Sequence, residues 1–114
     1  LASTLTLARL FVERNQTPAA LDLMQQHAAS GEKSAEYQGF LAVLLNRAGR
    51  TREAAEKYQA ATRLAPNEAR WWAGLGITLE ANGQNAAAQD AYLKARSLPG
   101  LPPELAAHVE QKLR

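Results

Sequence analysis

Trp72-Ala73-Gly74-Leu75-Gly76-Ile77-Thr78-Leu79 returns in outline at a fixed distance. Thirty-four residues earlier it reads Gln38-Gly39-Phe40-Leu41-Ala42-Val43-Leu44-Leu45, and 34 before that Thr4-Leu5-Thr6-Leu7-Ala8-Arg9-Leu10-Phe11. The echo continues downstream without a gap: Ala20, Ala54 and Ala88 keep the step, as do Met24, Tyr58 and Tyr92. A fixed period of this length marks a stacked helical array, in which each unit buries its apolar face on the next. Such an array moves the question of function from chemistry to surfaces.

Apolar residues recur at helical spacing, and Ala, Leu, Glu, Gln and Arg abound; no stretch alternates as a strand does. Turn residues punctuate the chain regularly. Asn15, Gly49 and Gly83 share one repeat position, and Asn and Gly tolerate the left-handed conformation that closes helices. Asn15-Gln16-Thr17-Pro18 closes one helix and opens the next, with Thr17 expected as N-cap and Pro18 at the first helical position. Ser30-Gly31, Pro66-Asn67 and Pro99-Gly100 mark the longer junctions. The expectation is an all-α, right-handed α-solenoid of seven helices in one domain. Helices at 1–14 and 18–29, 35–47 and 52–64, and 68–81 and 86–97 form three pairs, in units 1–34, 35–68 and 69–102. A capping helix spans 103–114, with one apolar stripe of Leu105, Val109 and Leu113.

The third unit's Trp72, Leu75 and Gly76, then Ala88 and Tyr92, and the second unit's Leu41, Ala42, Ala54, Tyr58, Ala61 and Pro66 resemble the tetratricopeptide repeat, W-x2-L-G-x2-Y followed by A-x3-F and a late Pro. Small residues at Ala8, Ala42 and Gly76 let paired helices approach, and Met24, Tyr58 and Tyr92 fill the gap toward the next unit. Departures are visible. Thr4 and Gln38 replace the Trp, Leu45 and Leu79 replace the Tyr, and His27 stands where Ala61 and Ala95 follow. A narrower resemblance rests on Leu44-Leu45-Asn46-Arg47-Ala48-Gly49-Arg50, Trp71 to Ile77, and Pro103-Glu104-Leu105 with Val109 to Leu113. These look like the C-terminal repeat region of the biogenesis-factor-N family of mannose-sensitive haemagglutinin (MSHA) type IV pili. That resemblance implies a role in bacterial pilus or envelope assembly, on the periplasmic face of the inner membrane; without it the expectation is cytoplasmic. The chain opens in register at Leu1, and we read it as part of a longer protein.

Composition narrows the chemistry. The 114 residues contain no cysteine, which excludes disulfides, zinc–thiolate sites and a cysteine nucleophile. Thirteen basic and 11 acidic residues leave a net charge of +2, too mild for a dedicated nucleic-acid binder. Arg47, Arg50, Arg52, Lys57, Arg63 and Arg70 make the middle locally basic, but Glu53, Glu56 and Glu68 interleave with them. No uncharged apolar run nears the roughly 20 residues of a membrane-spanning helix. His27, expected in the core, and His108, expected in solvent, lack the partners of a zinc site. Gly74-x-Gly76 reads as close helix packing rather than a phosphate loop. The expectation is no catalysis, no cofactor and no metal.

What remains is the face formed by the first helices of the pairs. The family's groove-facing positions fall on Leu5, Arg9, Val12 and Glu13; on Glu36, Gly39, Val43, Asn46 and Arg47; and on Arg70, Ala73, Ile77 and Glu80. The binding set drawn from these is Arg9, Val12, Glu13, Glu36, Val43, Asn46, Arg47, Arg70, Ile77 and Glu80. Mixed aliphatic and charged side chains suit a peptide or partner helix. A terminal-carboxylate clamp is disfavoured, because Leu5, Val43 and Gly74 occupy places that would need polar groups. A helical-repeat RNA binder is the alternative from another class, but Val12, Val43 and Ile77 oppose a polar groove. Self-association is a third: the weak first unit, opened by Leu1, Leu5 and Leu7, suits an end-to-end dimer or a missing upstream repeat. Trp72 is expected in the pair interface and Trp71 on the preceding helix near Leu64.

Overall fold

The computed structural model describes the backbone of residues 2–114 and the side chains from residue 4 onward; Leu1 lies outside the described residues. Among these, every regular element is an α-helix: α1 Ala2–Glu13, α2 Thr17–Gln26, α3 Ala35–Arg47, α4 Thr51–Leu64, α5 Ala69–Ala81, α6 Asn85–Ser97 and α7 Pro103–Lys112. Helices α1 and α2, α3 and α4, and α5 and α6 pack as pairs, each pair stacks on the next, and α7 closes on α6 and α5.

The turn inside each pair repeats in atomic detail. Asn15, Gly49 and Gly83 have φ of 58°, 81° and 80°. The next residue's amide reaches back to the carbonyl five residues earlier: Gln16 to Phe11, Arg50 to Leu45 and Gln84 to Leu79, at 2.7–2.9 Å. This closure satisfies carbonyls that the helix end leaves without partners. Glycine, or asparagine, is needed there because other side chains clash in the left-handed region.

Packing follows the small positions. Ala8, Ala42, Ala20 and Ala54 have no exposed surface, and Ala88 has 1 %. A side chain at Gly76 would press on the Tyr92 ring at 2.6 Å, so this glycine seats an aromatic ring from the facing helix. The series Ala8, Ala42, Gly76 ends in Glu110, which is exposed.

Several expectations need correction. Helix α2 starts at Thr17 itself, behind Gln16, without a side-chain cap, and ends at Gln26 rather than 29. Its early end follows from His27: Ala61 and Ala95 at that repeat position are fully buried, an imidazole does not fit, and His27 turns out to solvent. The Tyr37 hydroxyl donates instead to the Met24 carbonyl, and the Tyr37 ring covers Gly31. Of the two tryptophans, both expected to pack, Trp72 departs from expectation. Trp71 is buried, whereas Trp72 is half-buried and donates its indole N–H to the Pro66 carbonyl at 2.8 Å. His108 packs edge-on against Tyr92, with centroids 6.0 Å apart, rather than facing water. Leu7 is 43 % exposed although Leu41 and Leu75 are buried.

Candidate functional site

Two glycines on neighbouring first helices shape the face between α3 and α5. A side chain at Gly39 of α3 would meet the Trp71 indole at 2.4 Å, and one at Gly74 of α5 would meet the Tyr58 ring at 2.4 Å. Each ring therefore lies flat on backbone that has no Cβ. The two rings adjoin at 6.4 Å, tilted by 41°, and together they floor a pocket of about 310 Å³. Its walls are Phe40 and Val43 from α3, Ile77 from α5 and Leu105 from α7, with Arg70 at the edge. Burial pushes the Tyr58 hydroxyl up to about 12, against the opposing charge of Arg47. The floor is thus uncharged across the physiological range.

The pocket arises where the repeat breaks its own pattern. Phe40, Gly74 and His108 are one repeat position. A large ring in one unit answers to a missing side chain in the next; the Tyr58 ring takes the space at Gly74, and Phe40 and Gly74 both line the pocket. Sequence reasoning missed Phe40, Tyr58, Trp71 and Leu105. The available signal was this alternation of large and absent side chains, together with the large residues at the Tyr37, Trp71 and Leu105 repeat position.

The ten expected site residues divide by neighbour. Val43 and Ile77 line the pocket. Arg9 is hydrogen-bonded and ion-paired to Glu36 across α1 and α3, and stacks 5.7 Å from the Phe40 centroid. Arg70 lies 4.3 Å over Trp71 and 3.3 Å from Glu68. Glu80 accepts from the Tyr92 hydroxyl and from Lys112, both at 2.8 Å. Those bonds, the lysine's first, hold its carboxyl below the usual range. Glu80 therefore clasps α5 to α6 and α7. Arg47 lines a shallow apolar cleft with Thr17, Pro18, Leu21 and Asp22. Val12 packs on the buried cluster that includes Leu5, Ala8 and Leu41, Asn46 is half-buried, and Glu13 is exposed. Leu5, Gly39 and Ala73, also expected on this face, are buried as packing residues. No group of His, Asp and Glu among the described residues could hold a metal ion.

Comparison with known proteins bears on this geometry. The family model described as tetratricopeptide repeat matches residues 5–68 and 47–102. The chain superposes on MamA with a TM-score of 0.86 at 19 % identity, covering 98 % of this chain and 63 % of that one. It is similar to the Yersinia enterocolitica type III secretion chaperone SycD, solved in complex with a peptide of the translocator YopD: TM-score 0.87, 18 % identity, 98 % and 88 % covered. YrrB, a TPR protein with an unusual peptide-binding site, matches at a TM-score of 0.80 and 23 % identity over 92 % of this chain and 54 % of that one. The chain thus spans less than two thirds of MamA and of YrrB.

Proposed function

The chain belongs to the tetratricopeptide repeat family of protein–protein interaction scaffolds and is not an enzyme, and from that premise we propose that it binds a peptide or partner helix between α3 and α5. The observation that carries this reading is the pocket itself. Half-buried Phe40, Val43, Ile77 and Leu105 stand around a buried aromatic floor and leave one side-chain-sized opening. Such a site takes a large aliphatic or aromatic anchor. SycD and YrrB, described as binding peptides, lend support by likeness of fold.

Charge describes the rest of the ligand. Glu36 is consumed by Arg9, and Glu80 by Lys112 and Tyr92. Arg70 is stacked on Trp71 and paired with Glu68, whereas among the described residues Arg47 has no carboxylate within ion-pair distance. The face therefore presents positive charge beside an apolar pocket, and the proposed ligand carries an acidic side chain near its anchor. This leaves no continuous basic track for RNA.

We further place the domain in MSHA-type pilus or envelope assembly, on the periplasmic face of the inner membrane, on the strength of the sequence resemblance at Leu44–Arg50, Trp71–Ile77 and Pro103–Leu113. Protease treatment of spheroplasts decides the location: cleavage before lysis supports the periplasm, and protection until lysis refutes it. For the groove, a photo-crosslinking side chain at Ile77 in the native cell should capture a protein that the same group at exposed Asp90 does not. Identical adducts from both positions would sink the groove reading.

A further inference from the structure

Gln38 stands where the third unit has Trp72, and the two side chains make the same bond. Gln38 donates from Nε2 to the Glu32 carbonyl at 3.2 Å, and Trp72 donates its indole N–H to the Pro66 carbonyl at 2.8 Å. Each acceptor lies six positions back in the chain. The glutamine therefore reproduces the polar end of the tryptophan and none of its rings. Its other polar atom is left over. Gln38 is only 7 % exposed, and its Oε1 is buried without a donor among the described residues. Buried acceptors are ordinarily satisfied, and a ligand that brings a donor removes the cost of leaving this one bare.

Gln38 lies in the wall of a cleft of about 390 Å³ between α3, α4 and the segment that joins α2 to α3. Ala60 and Leu64 give the cleft its apolar surface, and Leu64 is 44 % exposed. Glu32, Glu56, Lys57 and Arg63 complete the lining, and none of these four forms an ion pair among the described residues. We propose that the cleft is a second binding site, and that it takes the indole of a tryptophan presented by a partner protein, with the indole N–H donated to Gln38 Oε1.

The chemistry selects this group in three steps. Two carboxylates and two cations around the cleft cancel, so the ligand group is uncharged. Ala60 and Leu64 call for an apolar body, and the third unit holds an indole at the position that glutamine takes here. An indole N–H donates and accepts nothing, so the single free acceptor satisfies it, whereas a phenol would bring an acceptor of its own.

A second copy of the chain cannot supply the ring, because its Trp71 is buried and its Trp72 N–H is already donated. A free small molecule fits less well. The walls at Glu32, Glu56, Arg63 and Leu64 are exposed, and ligand pockets enclose most of the molecule they hold. A side chain tethered to a partner needs no such enclosure, and unpaired charges around an apolar centre match the rim and core of a protein interface. The cleft shares no lining residue with the groove pocket, so the proposal stands apart from the groove.

The probe is acetyl-Gly-Trp-Gly-amide at millimolar concentration, followed by nuclear magnetic resonance of the 114-residue chain. It should shift the Gln38 side-chain amide and the Leu64 methyls saturably. The same peptide methylated on the indole nitrogen should bind about tenfold more weakly, the scale of one hydrogen bond. Gln38→Leu keeps the cleft but removes the acceptor, and should bind the two peptides equally. Gln38→Trp supplies the ring from within and should abolish the Leu64 shifts. Should either variant fail to fold, the two peptides compared on the wild-type chain still decide. No saturable shift at Gln38 and Leu64, or equal binding of both peptides by wild type, overturns the proposal. Shifts confined to Ile77 also overturn it, because the ring then enters the groove. Free indole that binds more tightly than the peptide would make the occupant a small molecule. A dimer by light scattering that the peptide disperses would make it a second copy. Either result overturns the assignment to a partner's tryptophan.

Discussion

Gly39→Ala sets two effects of known size against each other. Alanine is favoured over glycine inside a helix by about 1 kcal/mol, and position 39 lies in the middle of α3. An exposed site would show that gain. Here the new methyl would sit 2.4 Å from the Trp71 indole, so the ring must retreat by about 1 Å to reach ordinary contact. Its retreat is hindered by Tyr58 on α4 and by Arg70 stacked above it. Overpacking of this kind costs about 1–3 kcal/mol. The clash should outweigh the propensity gain, leaving Gly39→Ala about 1 kcal/mol less stable than wild type. Trp71→Leu will itself destabilise the chain by opening a cavity, but it removes the ring that the methyl strikes. In that background Gly39→Ala should recover about 1 kcal/mol. Urea unfolding followed by circular dichroism measures all four proteins, with m unchanged if the unfolded state is unaffected. The change of sign is the decisive quantity, equal to a coupling of about 2 kcal/mol between two touching residues. Stabilisation by Gly39→Ala in both backgrounds would refute the claim that Trp71 rests on this glycine, and with it the floor of the proposed site.

Three further outcomes follow from other contacts. Tyr37→Phe removes the hydroxyl donor from the Met24 carbonyl, which keeps the His27 amide at 3.3 Å, and should cost about 1 kcal/mol in thermal or urea unfolding; a neutral result would remove this hydrogen bond from the account of the α2–α3 junction. Glu80 has a lowered carboxyl pKa in the folded chain, so its contribution is complete above the ordinary carboxylate range and fades as pH falls through the folded value. Protection factors of the α7 amides, referred to the intrinsic exchange rate at each pH, should fall on acidification in wild type and respond less in Glu80→Gln, and equal responses would remove the clasp from the account. Arg47→Glu should leave the fold intact and weaken an Asp-flanked apolar peptide by about tenfold, with a reduced salt dependence of binding, while a Lys-flanked peptide gains. Equal effects on both peptides would defeat the charge preference without touching the groove, whereas failure of every apolar-anchored peptide to bind would defeat the groove itself.

Helix number, pairing and turn chemistry were legible because each rests on local rules repeated three times. Asn15, Gly49 and Gly83 announce the same closure, and alanine or glycine at two repeat positions, six residues in all, announces close approach. Departures occurred where a neighbouring unit decides. His27 shortened α2 because the buried site it would occupy admits only a methyl. Trp71 packs as expected, but its indole also finds a glycine on α3, a contact 32 positions away that helical periodicity does not encode. His108 looked polar on its own helix, yet the Tyr92 ring lies against it.

The groove divides along the same line. Arg9, Val43, Arg70 and Ile77 could be placed on the first-helix face from their repeat positions alone. Whether a charged residue there remains available depends on its partners. Glu36 and Glu80 are taken by Arg9 and Lys112, 27 and 32 residues away in sequence. Leu7 makes the contrast plain: the sequence by itself determined that it belongs with Leu41, Leu75 and Val109, because the period is a property of the chain. Only the tertiary structure decided that Leu7 stays exposed while the others are buried, because burial requires a neighbour and no described helix lies on that side of α1.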